Sequence, residues 1–256
     1  MLGAIAGDVI GSVYEHAPVK HKDFRLLHHE CTFTDDTVLT VAVADALLTG
    51  ASFADSLQRW ARRFPNRGYG IRFARWFMAA DPEPYNSFGN GAAMRVSPVG
   101  WWYGDEDSVL TQARQTAACS HDHPEGIRGA QAVALAVYLG RQGCSQTAIQ
   151  KRVTAVCGYD LDTPLVAIRP GYSFEVSCQG SVPQALRAFL EAADSEDAIR
   201  NAISLGGDAD TQAAIAGSVA EAVWGLSPAL ETAVRERLPE SMLAVIDRFR
   251  AAVAAR

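Results

Sequence analysis

Two short acidic segments carry the residue types best suited to chemistry. Thr34-Asp35-Asp36-Thr37 opens a helical apolar pattern that runs to about Thr49, and Gly206-Gly207-Asp208-Ala209-Asp210-Thr211 opens one that runs to about Trp224. Ser, Thr and Asp favour helix starts because their oxygens accept hydrogen bonds from free N–H groups and complement the helix dipole. One such side chain is enough, whereas neighbouring carboxylates repel each other. N-capping explains either segment alone, but the pair together favours a bound cation.

The ligand chemistry limits which cation the segments suit. Carboxylate and hydroxyl oxygens are hard ligands for Mg²⁺, Mn²⁺ or Ca²⁺, and the four carboxylates could hold two ions that share bridging ligands. A calcium EF-hand is disfavoured because the segment from Asp208 lacks the loop glycine at position 6 and has Val219 at position 12. The two segments are far apart in sequence, so only the fold can bring them together.

A third feature lies near the N-terminus, where Gly7 and Gly11 share one face of a helix. Glycine in a helix costs roughly 1 kcal/mol against alanine, so this face suits close approach by a ligand or, equally, tight helix packing. Glu15 follows one turn later, at a helix end, where a carboxylate gains nothing from the dipole. It is a candidate general base or water-positioning group, although a solvated surface Glu is the simpler interpretation of the residue alone.

A fourth feature is the segment Asn86-Ser87-Phe88-Gly89-Asn90-Gly91-Ala92-Ala93-Met94-Arg95. Its glycines and asparagines allow unusual backbone angles and expose N–H groups, which suits an oxygen-rich ligand. Phe88 could stack on a base or a ribose. An ordinary surface turn explains this segment equally well in isolation.

The fifth feature is Ser120-His121-Asp122-His123. His121 and His123 could bind a metal, although helix capping explains part of the pattern. The His121-Asp122 pair is also typical of the all-α HD phosphohydrolases, which need a further His on a neighbouring upstream helix. The nearest candidates, His28 and His29, lie more than 90 residues away, which weakens that interpretation.

The rest of the sequence is helical in period almost throughout, and it predicts the elements that position these residues. Alanine is abundant, and Gly or Pro residues end the patterns. Besides the helix from Thr34 to Thr49, helices are predicted over about 53–64, 71–80, 106–119, 124–141, 145–157, 182–193, 195–205, 209–224 and 240–254. The strand-like stretch from Leu165 to Cys178 contains Pro170 and Gly171, so an irregular segment explains it at least as well. We expect one all-α domain of about ten helices over residues 1–256.

Composition narrows the function classes. The 256 residues are 48% hydrophobic and 20% charged, which favours a compact body, and the net charge of −6 makes nucleic acid an unfavourable main partner. The five cysteines are widely spaced and form no C-x-x-C, so we expect reduced thiols. With no long apolar stretch and no signal peptide, we expect no membrane span and a cytoplasmic location. Motifs for dinucleotide binding, P-loops, zincins and α/β-hydrolases are absent.

Taken together, these segments resemble the ADP-ribosylglycohydrolase family, which includes dinitrogenase reductase-activating glycohydrolases and serine-type ADP-ribosyl hydrolases. The resemblance rests on an ordered set of motifs that spans nearly the whole chain: Gly7-Asp8…Gly11…Glu15, Phe33-Thr34-Asp35-Asp36-Thr37, Gly89-Asn90-Gly91-Ala92…Met94-Arg95, His121…Gly129-Ala130 and Gly206-Gly207-Asp208-Ala209-Asp210-Thr211. It implies an all-α orthogonal helical bundle with a binuclear Mg²⁺ or Mn²⁺ centre.

The resemblance also implies roles for individual residues. The implied metal ligands are Thr34, Asp35, Asp36, Asp208, Asp210 and Thr211. The implied contacts to the diphosphate and riboses come from Ser87, Phe88, Gly89, Asn90, Gly91 and His121. Glu15 corresponds to the acidic residue that activates water in serine-type members, and the sequence Gly-Ser-x-Tyr-Glu that ends with it favours that branch.

The implied reaction is hydrolysis of the bond between ADP-ribose and an acceptor on a protein or a small conjugate. The metals would bind the 2″ and 3″ hydroxyls of the distal ribose. Glu15, or a metal-bound Asp35 or Asp208, would direct water to the anomeric carbon through an oxocarbenium-like state. Two alternatives stay open: an all-α metal-dependent phosphohydrolase that uses His121-Asp122, and a non-catalytic ADP-ribose-binding protein.

Overall fold

The computed structural model describes residues 1–256 and is built from helices without a β-sheet, as the helical periodicity predicts. The helices are α1 Leu2–Gly11, α2 Asp35–Thr49, α3 Phe53–Arg63, α4 Ile71–Met78, α5 Gly91–Met94, α6 Ser97–Trp102, α7 Glu106–Ala118, α8 Pro124–Arg141, α9 Gln146–Cys157, α10 Leu165–Ile168, α11 Cys178–Leu190, α12 Ser195–Ile203, α13 Ala209–Trp224, α14 Pro228–Arg235 and α15 Glu240–Ala254. The all-α prediction is therefore confirmed, with fifteen helices in place of about ten.

Helix α13 lies at the centre of the bundle. It packs against α1, α8, α11 and α12, and every residue from Ala209 to Ala220 is buried. Its closest neighbour is α1, which is buried along its whole length. A Cβ atom on Gly7 would overlap the carbonyl of Ala213, and one on Gly11 would overlap the backbone of Asp210. The glycine face near the N-terminus therefore serves tight helix packing, and it brings the end of α1 against the start of α13.

Both acidic segments open helices, as predicted. Thr34 is the N-cap of α2, and its hydroxyl accepts a hydrogen bond from the N–H of Asp36 at 3.3 Å. Asp208 occupies the N-cap position of α13, but its side chain caps no backbone N–H group. N-capping therefore explains Thr34 and leaves the Asp208 carboxylate free for another role.

The longest predicted helices are present, and the differences lie in short or irregular elements. The predicted helix over 182–193 begins earlier, at Cys178, and contains Pro183. The short helices α5, α6, α10 and α14 span four to eight residues and give little periodic signal. From Leu165 to Cys178 the chain forms α10 and then an irregular segment, whose only pairing is a single antiparallel bridge between Gly89 and Ser177. That segment is not a strand, in agreement with the presence of Pro170 and Gly171, which disfavour a regular strand.

One continuous hydrophobic core joins helices from both ends of the chain. All five cysteines are free thiols in the structure. None of the helices is long and apolar enough to cross a membrane.

Candidate metal centre and substrate cavity

Five carboxylates from three parts of the chain meet at the junction of α1, α2 and α13. They form two triads within which the ligand oxygens lie within 4.8 Å of one another: Asp8, Asp36 and Asp210 in the first, and Glu15, Asp208 and Asp210 in the second. Asp210 belongs to both triads. This is the arrangement expected of two ions that share a bridging ligand.

The four aspartates among these carboxylates have no basic counterpart in the protein. Asp8, Asp36, Asp208 and Asp210 are all at most 6% exposed, and no Lys or Arg pairs with them. The Oδ1 atom of Asp36 is buried without any hydrogen-bond partner. A buried carboxylate oxygen without a partner is costly, and an oxygen-preferring divalent cation would satisfy it. The donor set is hard and anionic, so these residues fit Mg²⁺ or Mn²⁺.

Asp8 is the member of the first triad that the sequence motifs did not single out as a ligand. Its oxygens accept hydrogen bonds from the N–H of Thr34 at 3.0 Å, from the Thr34 hydroxyl at 2.6 Å, and from both the N–H and the hydroxyl of Thr37. Asp8 thereby fixes the start of α2 against α1. One signal could have revealed it: Asp8 is the single charged residue in an otherwise apolar and fully buried helix.

The predicted ligands are placed unequally. Asp36, Asp208 and Asp210 lie in the triads, and the Thr211 hydroxyl lies 3.3 Å from the second oxygen of Asp36. Thr34 and Asp35 line the same cavity, but Asp35 belongs to neither triad. The structure thus brings five of the six predicted ligands and Glu15 around the triads, places Asp35 at their edge, and adds Asp8.

Burial and mutual repulsion weaken the acidity of these groups. Burial, reinforced by the charge of Asp210, raises the pKa of Asp8 to about 7 even though the Thr34 and Thr37 bonds oppose the shift. The same two causes raise the pKa of Asp35, Asp36 and Asp208 well above the usual range. A site whose carboxyl groups hold their protons in the absence of a cation is poised to exchange those protons for one.

The triads form the floor of a cavity of about 490 Å³, a size that suits a small organic ligand. Its wall includes the predicted residues Ser87, Gly89, Asn90, Gly91 and His121. The Asn90 amide donates to Asp208 Oδ2 at 2.7 Å, which ties this loop directly to the carboxylate floor. The sequence segment that suits an oxygen-rich ligand and the acidic segments therefore belong to one site.

The aromatic contact differs from the expectation. Phe88 is 46% exposed, packs edge-on against His123 and does not line the cavity. Phe174, from the irregular segment, does line it and is 56% exposed. Backbone bonds from Asn90 N–H to Val176 and from Cys178 N–H to Phe88 hold the two segments side by side. Phe174 belongs to the alternating apolar pattern of the strand-like stretch, but nothing in that pattern points to a ligand, so sequence reasoning missed its place at the cavity.

His121 is buried beside the cavity and takes no part in a metal triad. Its Nδ1 lies 2.8 Å from the Ser120 hydroxyl, and burial together with the charges of Arg95 and Arg72 holds the pKa of His121 well below its usual range. Asp122 accepts from the N–H of Asn86 instead of joining His121 at a metal. Neither acidic triad contains a histidine, so the geometry gives no support to the HD phosphohydrolase interpretation.

Glu15 lies just beyond α1, at the open side of the triads. Its side chain is 27% exposed, and burial and the charge of Asp210 raise the pKa of its carboxyl group. The segment that carries it is anchored by Lys20, whose ammonium group donates to the carbonyls of Arg169, Tyr172 and Leu205. These bonds tie the Glu15 segment to the chain that precedes α13.

Comparison with known proteins identifies this arrangement. The family model for ADP-ribosylglycohydrolases matches residues 1–256. The chain belongs to the ADP-ribosylglycohydrolase family. The family assignment confirms the resemblance seen in the ordered motifs, and with it the predicted class, a hydrolase that acts on ADP-ribose conjugates.

Individual relatives agree with this assignment. ADP-ribosylhydrolase ARH3 of Mus musculus is 27% identical over 94% of this chain and 84% of its own length, and the Homo sapiens protein of that name is 27% identical over 91% and 86%. The uncharacterized protein YegU of Escherichia coli K12 is 28% identical over 87% and 80%. A solved structure described as an ADP-ribosylglycohydrolase-related protein complex superposes with a TM-score of 0.71 at 25% identity, covering 99% of this chain and 94% of that one.

Proposed function

We propose that this member of the family hydrolyses the glycosidic bond between the distal ribose of ADP-ribose and an acceptor, with two Mg²⁺ or Mn²⁺ ions. One observation carries the proposal: the two acidic triads share Asp210 on the floor of a cavity that is walled by the loop of Gly89, Asn90 and Gly91. Asp8, Asp36 and Asp210 would hold one ion, and Asp208 and Asp210 the other, with the hydroxyls of Thr34 and Thr211 nearby. Bound there, the ions would supply positive charge to fix the ribose hydroxyls.

The protein's own groups account for the remaining steps. Glu15 belongs to the second triad, and the raised pKa of its carboxyl group makes it a stronger base toward the proton of an attacking water. The C–O bond from that water forms as the bond from the anomeric carbon to the acceptor breaks, and a proton returns to the acceptor. Glu15 acts as the base. Asp208 accepts a hydrogen bond from the Asn90 amide and so holds the carboxylate floor against the loop that binds the substrate.

The cavity wall supports a nucleotide-sized substrate. Backbone and side-chain groups of Ser87, Gly89 and Asn90 would bind the diphosphate and ribose oxygens, and Phe174 offers an aromatic face at the exposed side for the base. The names of the ARH3 relatives describe ADP-ribosyl hydrolysis and fit this assignment. Protein-linked and small conjugates of ADP-ribose are both candidate substrates.

Product analysis tests the proposal. The protein is incubated with ADP-ribosyl-serine, ADP-ribosyl-arginine and O-acetyl-ADP-ribose, each with Mg²⁺, Mn²⁺ or chelator. We expect metal-dependent release of intact ADP-ribose from at least one of them, without AMP or inorganic phosphate. Release of AMP or phosphate would instead indicate a phosphohydrolase. Tight binding of ADP-ribose without any turnover would indicate a binding protein.

Glu15→Gln tests the base. General-base catalysis typically contributes about 10²–10⁴-fold, so we expect a loss of kcat in that range with ADP-ribose binding retained. Glu30→Gln is the matched control, because Glu30 lies in the same segment between α1 and α2 and its side chain is 66% exposed. Full turnover by Glu15→Gln would remove Glu15 from the mechanism.

A further inference from the structure

Arg95 is the largest fully buried side chain in the protein, and neither helix packing nor a salt bridge explains its charge. It follows α5 directly, lines the substrate cavity and is 0% exposed. Its Nη2 donates to the carbonyl of Thr116 at 2.7 Å and to the hydroxyl of Ser120 at 2.9 Å, while Nε and Nη1 are buried without a partner. A buried guanidinium without a carboxylate is costly to the fold, which points to a role in the site.

The hydrogen bonds around Ser120 favour one direction. A guanidinium has no acceptor, so Arg95 must donate to the Ser120 oxygen. The same oxygen lies 2.8 Å from Nδ1 of His121. If Nδ1 carried a proton and donated it, the acceptor left for the hydroxyl proton of the fully buried Ser120 would be the sulfur of Cys119, which is a weak acceptor. Ser120 therefore donates to Nδ1, and the ring proton of neutral His121 is on Nε2.

The Nε2 side of the ring faces the substrate loop. Nε2 makes no hydrogen bond within the protein, and a Cβ atom on Gly91 would lie only 3.2 Å from it, with one on Gly89 at 3.6 Å. The two glycines therefore leave Nε2 open toward the cavity. A neutral ring with its proton on this nitrogen can donate to a ligand oxygen but cannot accept from a ligand hydroxyl.

The groups around His121 favour the uncharged ring. Arg95 and Arg72 are the charged side chains that act on it, both positive, and Tyr85 and Phe73 pack against the ring at centroid distances of 5.6 and 6.3 Å. Protonation would add a positive charge to a buried ring that already faces the charge of the buried Arg95 and of the exposed Arg72. The ring therefore keeps one proton near neutral pH, and Ser120 decides which nitrogen holds it.

We propose that Arg95, acting through Ser120, fixes His121 as the Nε2–H tautomer, so that His121 donates a hydrogen bond to an anionic oxygen of the ADP-ribose diphosphate. Arg95 and Ser120 are positioning residues in this proposal, and His121 is the group that touches the substrate. The assignment of the acceptor oxygen rests on the proposed function. The tautomer does not, since it follows from bonds within the protein. Arg95 in addition places a positive charge behind the loop that would hold the diphosphate.

The tautomer is measured directly in the ligand-free protein by long-range ¹H–¹⁵N correlation of its histidine rings, with His121→Gln to assign the signal. We expect a pyridine-type Nδ1 and a pyrrole-type Nε2 for His121 at neutral pH. In Ser120→Ala the two tautomers should mix, because the only group that selects between them is gone. A pyrrole-type Nδ1 in the wild type, or an unchanged tautomer in Ser120→Ala, would overturn the proposal.

Ligand binding tests the consequence. The apparent affinity falls with the fraction of His121 in the donating tautomer. We therefore expect Ser120→Ala to raise the Kd of ADP-ribose about twofold in the Mg²⁺-loaded protein if the tautomers mix equally, and about tenfold if Nε2–H falls to about a tenth. With a hydrolysable conjugate the variant should raise KM and leave kcat nearly unchanged, because the diphosphate is remote from the reacting bond. A lowered kcat with an unchanged KM would contradict a diphosphate contact.

Two further variants separate positioning from folding. Ser218→Ala removes another buried hydroxyl, which donates to the Ile215 carbonyl within α13, and should change neither the His121 signal nor the Kd. Arg95→Met keeps much of the buried volume but removes the donor, and should mix the tautomers as Ser120→Ala does. If the wild type showed the Nε2–H tautomer but released ADP-ribose from no conjugate, the proposed function would fail and the Arg95–Ser120–His121 arrangement would stand.

Discussion

Cation binding should release protons, because the carboxyl groups of the triads are poorly ionised without a cation. The pKa of Asp8 is raised to about 7, and the pKa values of Asp36 and Asp208 are raised well above their usual range by burial and by Asp210. At pH 6 a group with a pKa of about 7 is about nine-tenths protonated, so loading the first triad releases at least about one proton. For each proton that Mg²⁺ displaces, the apparent Mg²⁺ affinity should then fall about tenfold for each unit by which the pH is lowered.

The sign for stability follows from the same linkage. Carboxyl groups whose pKa is raised in the folded state bind protons more tightly there than in the unfolded chain. The chelated protein therefore loses stability as the pH rises from about 4 toward 7 through the titration of Asp8. His121 acts in the opposite direction: its lowered pKa favours the fold above about pH 6.5 and costs stability below it. Because His121 is present with and without Mg²⁺, the difference between loaded and chelated protein isolates the carboxyl groups.

Calorimetric titration with Mg²⁺ at pH 5.5, 6.5 and 7.5, in buffers of different ionisation enthalpy, counts the released protons. We expect at least about tenfold tighter binding at pH 6.5 than at 5.5, and fewer protons released by Asp36→Asn. Asp247→Asn is the matched control, since Asp247 is an exposed residue of α15 that pairs with Arg235. Equal affinity at all three pH values without proton release would refute the reasoning.

Three further predictions rest on packing and exposure. Gly7→Ala should lower the free energy of unfolding in urea by about 1–3 kcal/mol, because its Cβ would overlap the α13 backbone; Gly104→Ala, which meets nothing within 4 Å, is the control and should stay near neutral. Asn90→Asp should weaken ADP-ribose binding at least about tenfold, since it replaces a donor to Asp208 by a like charge; wild-type affinity would contradict the role of this bond. Burial raises the pKa of Cys157 to about 11, so thiol reagents at pH 8 should label it far more slowly than in denatured protein, and equal rates would contradict that burial.

The sequence predicted the acidic segments well because each one sits at a helix start that composition makes visible. Thr34 and Asp208 precede long apolar helical patterns, and both lie at N-caps in the structure. The fold class also followed from periodicity, which long helices display strongly. The location of the cavity wall followed from the glycine and asparagine chemistry of residues 86–95, because few backbone conformations need so many permissive residues.

The rest depended on distances that no local pattern encodes. Asp8 looks like one polar residue in a helix until packing against α13 places it beside Asp210. Asp35 looks equivalent to Asp36 in sequence, yet helix geometry turns adjacent side chains apart by about 100°, and only Asp36 enters a triad while Asp35 lines the cavity at its edge. Phe174 lies in an irregular segment whose alternating apolar residues suggest a strand that does not form, so the alternation gives no guide to which side chains face the cavity.

The geometry joins stability to function through one pair of helices. Close packing of the glycine face of α1 on α13 brings Asp8 and Asp210 together at fixed separation, and this same closeness makes their ionisation unfavourable without a cation. Ligands on two rigid helices need no rearrangement to bind an ion. Glu15, in contrast, lies beyond the end of α1 and is held through Lys20 and its carbonyl partners. In the proposed mechanism this difference is useful, because the rigid floor would fix the sugar while the separately anchored Glu15 would meet both water and product.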